Sequence, residues 1–394
     1  MPKKQAILTQ NPIKLMKKIF YIAAILLMLF EVSNVYFIMP MPGSQRMRSI
    51  EVAYFLYTYR WIFRVVFGFG LLLGFQNVFH AQKWLAVAIL AVVAGVIYMF
   101  NFQMAADHMF YQPTQVLMKD TKSNKIKNDK LIVGIVVGNE ARAYPIQLIG
   151  YHHQVMDTIA GKPVMVTYCT VCRTARVFEP KVNGKYETFR LVGMDHFNAM
   201  FEDKTTKSWW RQANGEALAG KLKGVMLPEI DSRQMSLAKW LALYPDSKIL
   251  QADSNFKASY EKLEKYDSGK GSSDLTKTDS LSWKDKSWVV GVKSGKAAKA
   301  FDWNRLKRER IINDKVGHQP IVLVLASDNK SFVAFEREAF FQKYTLKNDS
   351  LYLEKTAYDF NGVSSNNTSS LKKINAYQEF WHSWRTFYPE TEKY

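Results

Sequence analysis

Cys169 and Cys172 are the two cysteines of a 394-residue chain, and two residues separate them in VMVTYCTVCRTARVFEP, residues 164–180. Several chemistries suit this spacing. Two thiolates make a soft clip for copper, zinc or iron. His152, ahead of the apolar strand, is then the preferred third ligand, and His196 in GMDHFNAMFED is the weaker choice, with His153, Met194 and Asp195 as spare donors. Vicinal thiols also cycle between dithiol and disulfide, and Arg173 and Arg176 supply positive charge that favours a thiolate. A structural disulfide across so short a loop removes little chain entropy, and two inert buried thiols are the blandest alternative. A strong zinc signature has a second pair or histidines at ligand spacing, which this chain lacks. Covalent haem attachment is disfavoured because Arg173, not histidine, follows the second cysteine.

A second polar group lies downstream. SWWRQANGEALAG supplies Trp210, Arg211, Gln212 and Glu216 among aromatics. As chemistry, Glu216 or His196 would serve as acid or base, with Arg211 facing substrate. As structure, the same residues tie up turn backbone. His318 and His382 read as structural or surface histidines.

The elements that must position these groups are written twice. The stretch starting at Val133, VGIVVGNEARAYPIQLIGYHHQVMDTIAGKPVMVTYCTVCRTARVFE, aligns without a gap on VGVKSGKAAKAFDWNRLKRERIINDKVGHQPIVLVLASDNKSFVAFE, starting at Val290. Gly134, Gly138, Asp157, Pro163 and Phe178 meet identical residues, and Arg142 meets Lys299. Further on, Trp240, Tyr244, Pro245 and Ser247 meet Trp384, Tyr388, Pro389 and Thr391. A shared order of this length points to duplication. LIVGIVV and PVMVTY read as buried strands, Asn183-Gly184 as a hairpin turn, and SLAKWLALYP as a short helix ended by Pro245. KYDSGKGSSDLTKTDSLSWKDK, polar and poor in apolar residues, reads as a linker. Cys169 and Cys172 fall on Ala326 and Asn329, while His152 and His153 fall on Glu309 and Arg310. The scaffold is therefore shared and the thiols are not, which points away from a structural disulfide and toward a site specific to the first copy.

Three apolar runs precede this body, at about 19–39, 61–79 and 84–100, each near the ~20 residues a span needs. The first lacks the small residues of a cleavage site and is followed by two more, so it reads as an anchor. Lys3, Lys4, Lys14, Lys17, Lys18 and Lys83 flank one side, against Arg46, Arg48 and Arg60 on the other. That bias puts the N-terminus inside and everything beyond Asn101 outside. Glu31 and Arg64 are charges within apolar runs. Their depths would let them meet, but the simpler expectation is that Arg64 snorkels while Glu31 is paired or protonated.

Lys plus Arg number 54 against 35 Asp plus Glu, a net +19. The positive charge is scattered and accompanies no nucleic-acid motif, so nucleic acid is not an expected partner. The lipid bilayer is, and other membrane proteins are candidates.

Ala143-Tyr144-Pro145, His152 ahead of Asp157, Thr167-Tyr168-Cys169 with Cys172, and Gly215-Glu216-Ala217 together resemble the domain-of-unknown-function family numbered 3179. The likeness spans roughly residues 110–394. It departs at Thr170 and Arg173, where many members carry proline and a small residue, and the three-span anchor is not general to the family. The resemblance implies a fold and marks these positions without supplying a reaction.

The expectation is a β-rich α+β, internally duplicated soluble domain behind an α-helical anchor of about three spans. The boundaries are 1–104 for the anchor, 105–260 for the first repeat, 261–287 for the linker and 288–394 for a degenerate second repeat. It sits in a bacterial inner membrane, multi-pass, with its C-terminal domain extracytoplasmic. Metal binding or metal-assisted chemistry at Cys169, Cys172 and His152 leads. A thiol–disulfide oxidoreductase and a non-catalytic assembly subunit are the alternatives.

Overall fold

The computed structural model of the chain describes residues 12–271 and 273–394. Lys3 and Lys4 of the N-terminal basic cluster lie outside the described residues. The chain forms two compact units, one running to Met109 and including the short stretch Val192–Asp195, the other made of Phe110–Leu191 and His196–Tyr394.

Three helices of the first unit are long and apolar enough to cross a membrane. They are α1 (Pro12–Tyr36), α2 (Arg60–Ala81) and α3 (Lys83–Tyr98), the last running on as a π-turn over Met99–Gln103. The protein is thus a multi-pass membrane protein. α1 and α2 approach closely because glycines face them: a Cβ on Gly74 would lie 2.4 Å from the Met16 carbonyl oxygen and 2.6 Å from Phe20 Cβ. Arg64 does not snorkel away from Glu31. Its Nε donates to Glu31 Oε1 at 2.7 Å and its Nη2 to Oε2 at 2.9 Å. Asn101, carried on the π-turn, accepts from Arg64 and donates to Glu31 Oε2 at 2.9 Å. In a medium without water, a bidentate pair with an amide closing it is cheaper than two separate charges.

The second unit is a mixed α+β body of small, mainly antiparallel sheets. Strands β1 (Leu131–Val137) and β2 (Glu140–Pro145) lead into helix α4 (Ile146–His152), followed by the antiparallel set β3 (Gln154–Ile159), β4 (Lys162–Cys169) and β5 (Thr174–Phe178). Next come β6 (Asn198–Asp203), β7 (Trp209–Arg211) and β8 (Ala217–Ala219), paired in that order. Strand β9 (Ser232–Ser236) pairs with β1, helix α5 (Leu237–Leu243) follows, and β10 (Lys248–Leu250) lies parallel to β2.

The same order then recurs as β11 (Trp288–Ser294), β12 (Ala297–Asp302), α6 (Trp303–Glu309), β13 (Ile311–Val316), β14 (Gln319–Leu325) and β15 (Phe332–Glu336). β16 (Ala376–Phe380), α7 (Trp381–Phe387) and β17 (Glu392–Lys393) close it, with β16 antiparallel to β11 and β17 parallel to β12.

The residues that match in sequence do the same work in both halves. Arg142 pairs with Asp157 at 2.6 Å and Lys299 with Asp314 at 2.7 Å. Trp240 lies flat on Gly134 and Trp384 on Gly291, so close that a Cβ would sit 2.3 and 2.2 Å from the indoles. Each indole N–H donates to a hydroxyl, Trp240 to Ser247 at 2.7 Å and Trp384 to Thr391 at 2.8 Å. Positive φ falls at matched positions too, His153 with Arg310 and Gly138 with Gly295.

Candidate functional site

Strand β4 is buried along its last six residues, so its end carries Cys169 into the interior. The β4–β5 turn then brings Cys172 back beside it. Neither sulfur side chain is exposed, and no disulfide joins them. Arg173, at φ +56°, turns the chain into β5. Both thiols reach the carbonyl oxygen of Phe197, Cys169 Sγ at 3.5 Å and Cys172 Sγ at 3.3 Å.

The two sulfurs are not equivalent. Burial pushes the Cys169 thiol up, but the Cys172 S–H and the backbone N–H groups of Ala199, Cys172 and Val171 converge on it and leave it below its ordinary value. Burial likewise raises Cys172, and the neighbouring Cys169 raises it further. The Ser383 hydroxyl and Lys286 oppose that rise without reversing it. The surroundings thus act on the two thiols in opposite directions, down for Cys169 and up for Cys172.

The second half of the body supplies much of the surround. Phe380 N–H donates to Cys172 O at 2.9 Å, anchoring the start of α7 on the turn. Lys286 Nζ donates to Val171 O at 2.7 Å and Leu275 O at 2.6 Å, and lies over the Phe380 ring. His382 Nε2 sits between Val171 O at 3.1 Å and Lys286 Nζ at 3.2 Å. Burial, then the Lys286 charge, bring the His382 ring down to about 4, so it is neutral at pH 7. At the next residue of α7, Ser383 Oγ reaches the Cys172 thiol and donates to Glu379 Oε2 at 2.8 Å. Glu379 Oε1 in turn accepts from Arg176 Nη2 at 2.6 Å, an ion pair with both side chains almost wholly buried.

Arg176 therefore serves an ion pair and not the thiols directly. Arg173 spans the halves as well, donating to Gln378 Oε1 at 2.9 Å and to the carbonyls of Tyr266 and Asp267, with its guanidinium 3.7 Å from the Trp288 ring centre. The polar segment 261–287 is consequently no loose tether. Tyr266 is buried within it and donates to Thr170 O at 2.8 Å, and Lys286 reaches the thiol turn from it.

The other candidate residues take varied places. His152 is buried at the end of α4, its Nδ1 on Tyr111 O and its Nε2 2.7 Å from Tyr260 OH. Burial holds its pKa down. Among the described residues no group of three or more His, Cys, Asp or Glu side chains converges to hold a metal ion. The trio Cys169, Cys172 and His152 is thus not assembled as one cluster. His196 and Phe197 are consecutive residues at positive φ, 49° and 67°, a conformation bulky side chains adopt at a cost of order 1 kcal/mol or more each. This strained pair presents the Phe197 carbonyl to both sulfurs. Arg211 and Glu216 pair with each other at 2.8 Å, with Asn214 on the same carboxylate oxygen at 3.2 Å. Gln212, between them in sequence, does reach the thiol hairpin, donating to Thr167 Oγ1 and Thr174 O, both at 3.0 Å.

Lys286, Glu379, His382 and Ser383 escape a reading of the sequence because they lie far from the cysteines along the chain. The matched order of the two halves implied that they pack into one body, but not that the second half meets the thiol turn.

No curated protein and no solved structure matches the chain. A family model described as a protein of unknown function, DUF3179, matches residues 111–391, which is nearly the whole of the second unit and none of the membrane helices. With more than half its length under that model, carrying the Cys169–Cys172 pair, the chain belongs to the DUF3179 family.

Proposed function

We propose that Cys169 and Cys172 form a redox couple, the chain being a membrane-anchored thiol–disulfide oxidoreductase whose working domain faces away from the cytoplasm. The observation that carries this reading is the pair itself: two free, buried thiols meet at one turn, both within reach of the Phe197 carbonyl, and their surroundings shift their acidities in opposite directions. A nucleophilic thiolate beside a retained thiol is what dithiol exchange needs.

The Cys169 thiolate attacks one sulfur of a small substrate disulfide, and the other substrate sulfur leaves as a thiolate that takes a proton from water. Cys172 passes its proton through Ser383 Oγ to Glu379. Its sulfur then attacks Cys169, closing the protein disulfide and releasing the second substrate thiolate, which is protonated in turn. Two electrons move from the protein to the substrate. Both sulfurs are covered in the closed state, so the strained His196–Phe197 tip has to lift for access. Arg211 and Glu216, tied to one another, take no part in these steps.

Supporting the outward placement are Lys14, Lys17, Lys18 and Lys83 against Arg46, Arg48 and Arg60, with an odd number of membrane-length helices. A bacterial inner membrane suits this arrangement. Supporting an origin by duplication, with 105–260 and 288–394 as the copies, are the matched ion pairs and tryptophan–glycine contacts. The second copy then acts as the clamp that buries the thiol turn of the first.

A metal reading is favoured by one observation only, that a buried low-pKa thiolate beside a second sulfur suits two-coordinate Cu(I) without a third ligand. Elemental analysis of the full chain, purified anaerobically in detergent beside Cys169→Ser, Cys172→Ser, separates the two. Titration against dithiothreitol then tests the couple: a reversible disulfide with a moderate potential is expected. A metal lost in the double variant, or a pair that never forms a disulfide, would sink the oxidoreductase reading.

A further inference from the structure

Where the two halves of the second unit meet, a cleft of about 410 Å³ opens beside the Arg176–Glu379 pair. Its charges are unevenly matched. Arg176 forms its floor, answered by Glu379 at 2.6 Å and by Glu229 at 3.6 Å, and Tyr377 OH donates to Glu229 at 2.8 Å. Lys293 and Lys373 line the same cleft, and among the described residues no carboxylate lies at ion-pair distance from either, Lys293 lying 4.8 Å from the Tyr388 ring centre. Asn214, Asn375 and Asp231 complete the polar wall.

We propose that this cleft binds a small organic dianion, a dicarboxylate or phosphate that also carries hydroxyl groups. Two ammonium groups and the amides of Asn214 and Asn375 would take the anionic groups, and Glu229 and Asp231 would accept from the hydroxyls. Lys373 is half-buried, and leaving its amine without a counter-ion costs free energy that an anion would offset, while the exposed Lys293 adds a second positive charge at the cleft mouth. Consistent with that cost, burial and the nearby Arg233 bring Lys373 down to about 8. Joints between packed halves are also where small-molecule sites concentrate.

The test is calorimetric titration of the full chain in detergent with malate, succinate, glycerol phosphate and inorganic phosphate. Malate or glycerol phosphate should bind at one site per chain, more tightly than succinate or inorganic phosphate, which lack the organic hydroxyls; whichever of the two binds identifies the anionic group. Lys293→Met and Lys373→Met should each weaken binding by about tenfold or more, and Lys373→Arg should keep it. Near pH 8 binding should draw in protons, read from the change in heat between buffers, because an anion pulls Lys373 toward its charged form. Melting curves of the ligand-free variants show that they fold. The Cys169→Ser, Cys172→Ser protein should bind as the parent does, so this site stands or falls apart from the thiol reading. No binding by any of the four at millimolar concentration, or affinity unchanged from the parent in both lysine-to-methionine variants, would overturn the proposal.

Discussion

Ser383→Ala removes one hydroxyl from between Cys172 and Glu379. Two effects follow from the contacts around it. Glu379 Oε2 loses a donor at 2.8 Å while its other oxygen stays on Arg176. A hydrogen bond to a buried charged group contributes about 2 kcal/mol, so the variant should lose about that much stability and remain folded. Cys172 meanwhile loses its hydroxyl neighbour and with it the route for its proton. A neutral hydrogen bond contributes about 1 kcal/mol, which converts to roughly a fivefold to tenfold slower attack by Cys172. Cys169 keeps its converging N–H groups, so its first attack should proceed at the parent rate. The assay is rapid mixing with a small aromatic disulfide. Release of the first thiolate reports Cys169 and release of the second reports Cys172. The mixed disulfide on Cys169 should accumulate in Ser383→Ala and clear again in Ser383→Thr. Equal slowing of both phases, or a second phase no slower than in the parent, would refute the relay.

Acid should weaken the second unit in a defined window. His153 and His382 are buried and held at about 4, against about 6.5 when unfolded, in each case chiefly by burial. Between those values the unfolded chain binds protons that the native one does not, so stability falls as pH drops from about 6.5 toward 4 and this contribution is flat above 7. Thermal melts across that range should show the slope, and His153→Gln, His382→Gln should flatten it. In the membrane unit, Arg64→Leu leaves Glu31 buried without its partner and should cost about 3 kcal/mol, with Glu31→Gln, Arg64→Leu recovering most of it in detergent melts. Gly134→Ala and Gly291→Ala each push a Cβ into an indole, and each should destabilise by about 2 kcal/mol or more in chemical denaturation. A loss in one alone would mean that the two tryptophan contacts are not equivalent.

Much of this architecture is written locally. Apolar length marks all three membrane helices, though α1 begins at Pro12, ahead of the expected start, because helix continues through the amphipathic lysine stretch. The spaced matches between the halves mark the strands, the aspartates at 157 and 314 and the tryptophans, and the structure places a basic partner on each aspartate and a glycine under each tryptophan. The thiols were legible as a pair, and their absence from the second half marked them as particular to the first.

What the sequence leaves undetermined is what stands next to what. The strand pattern carries Cys169 to the end of β4, but only packing of β16 and α7 there brings Glu379, His382 and Ser383 to it, more than two hundred residues along the chain. Nearness in sequence suggested His152 as a partner, whereas α4 turns that ring toward Tyr111 and Tyr260. Similarly, composition marked 261–287 as a linker, and only the folded body shows Tyr266 buried and Lys286 held over Phe380. Even Glu31 and Arg64, whose pairing depth alone left open, meet because α1 and α2 pack glycine against backbone. Periodicity and composition report burial and local geometry, which a residue's own neighbours decide. The acidity of a thiol depends on donors and charges within a few ångströms: the turn itself supplies Val171 and Cys172 to Cys169, whereas Ser383 and Lys286 reach Cys172 from elsewhere in the chain.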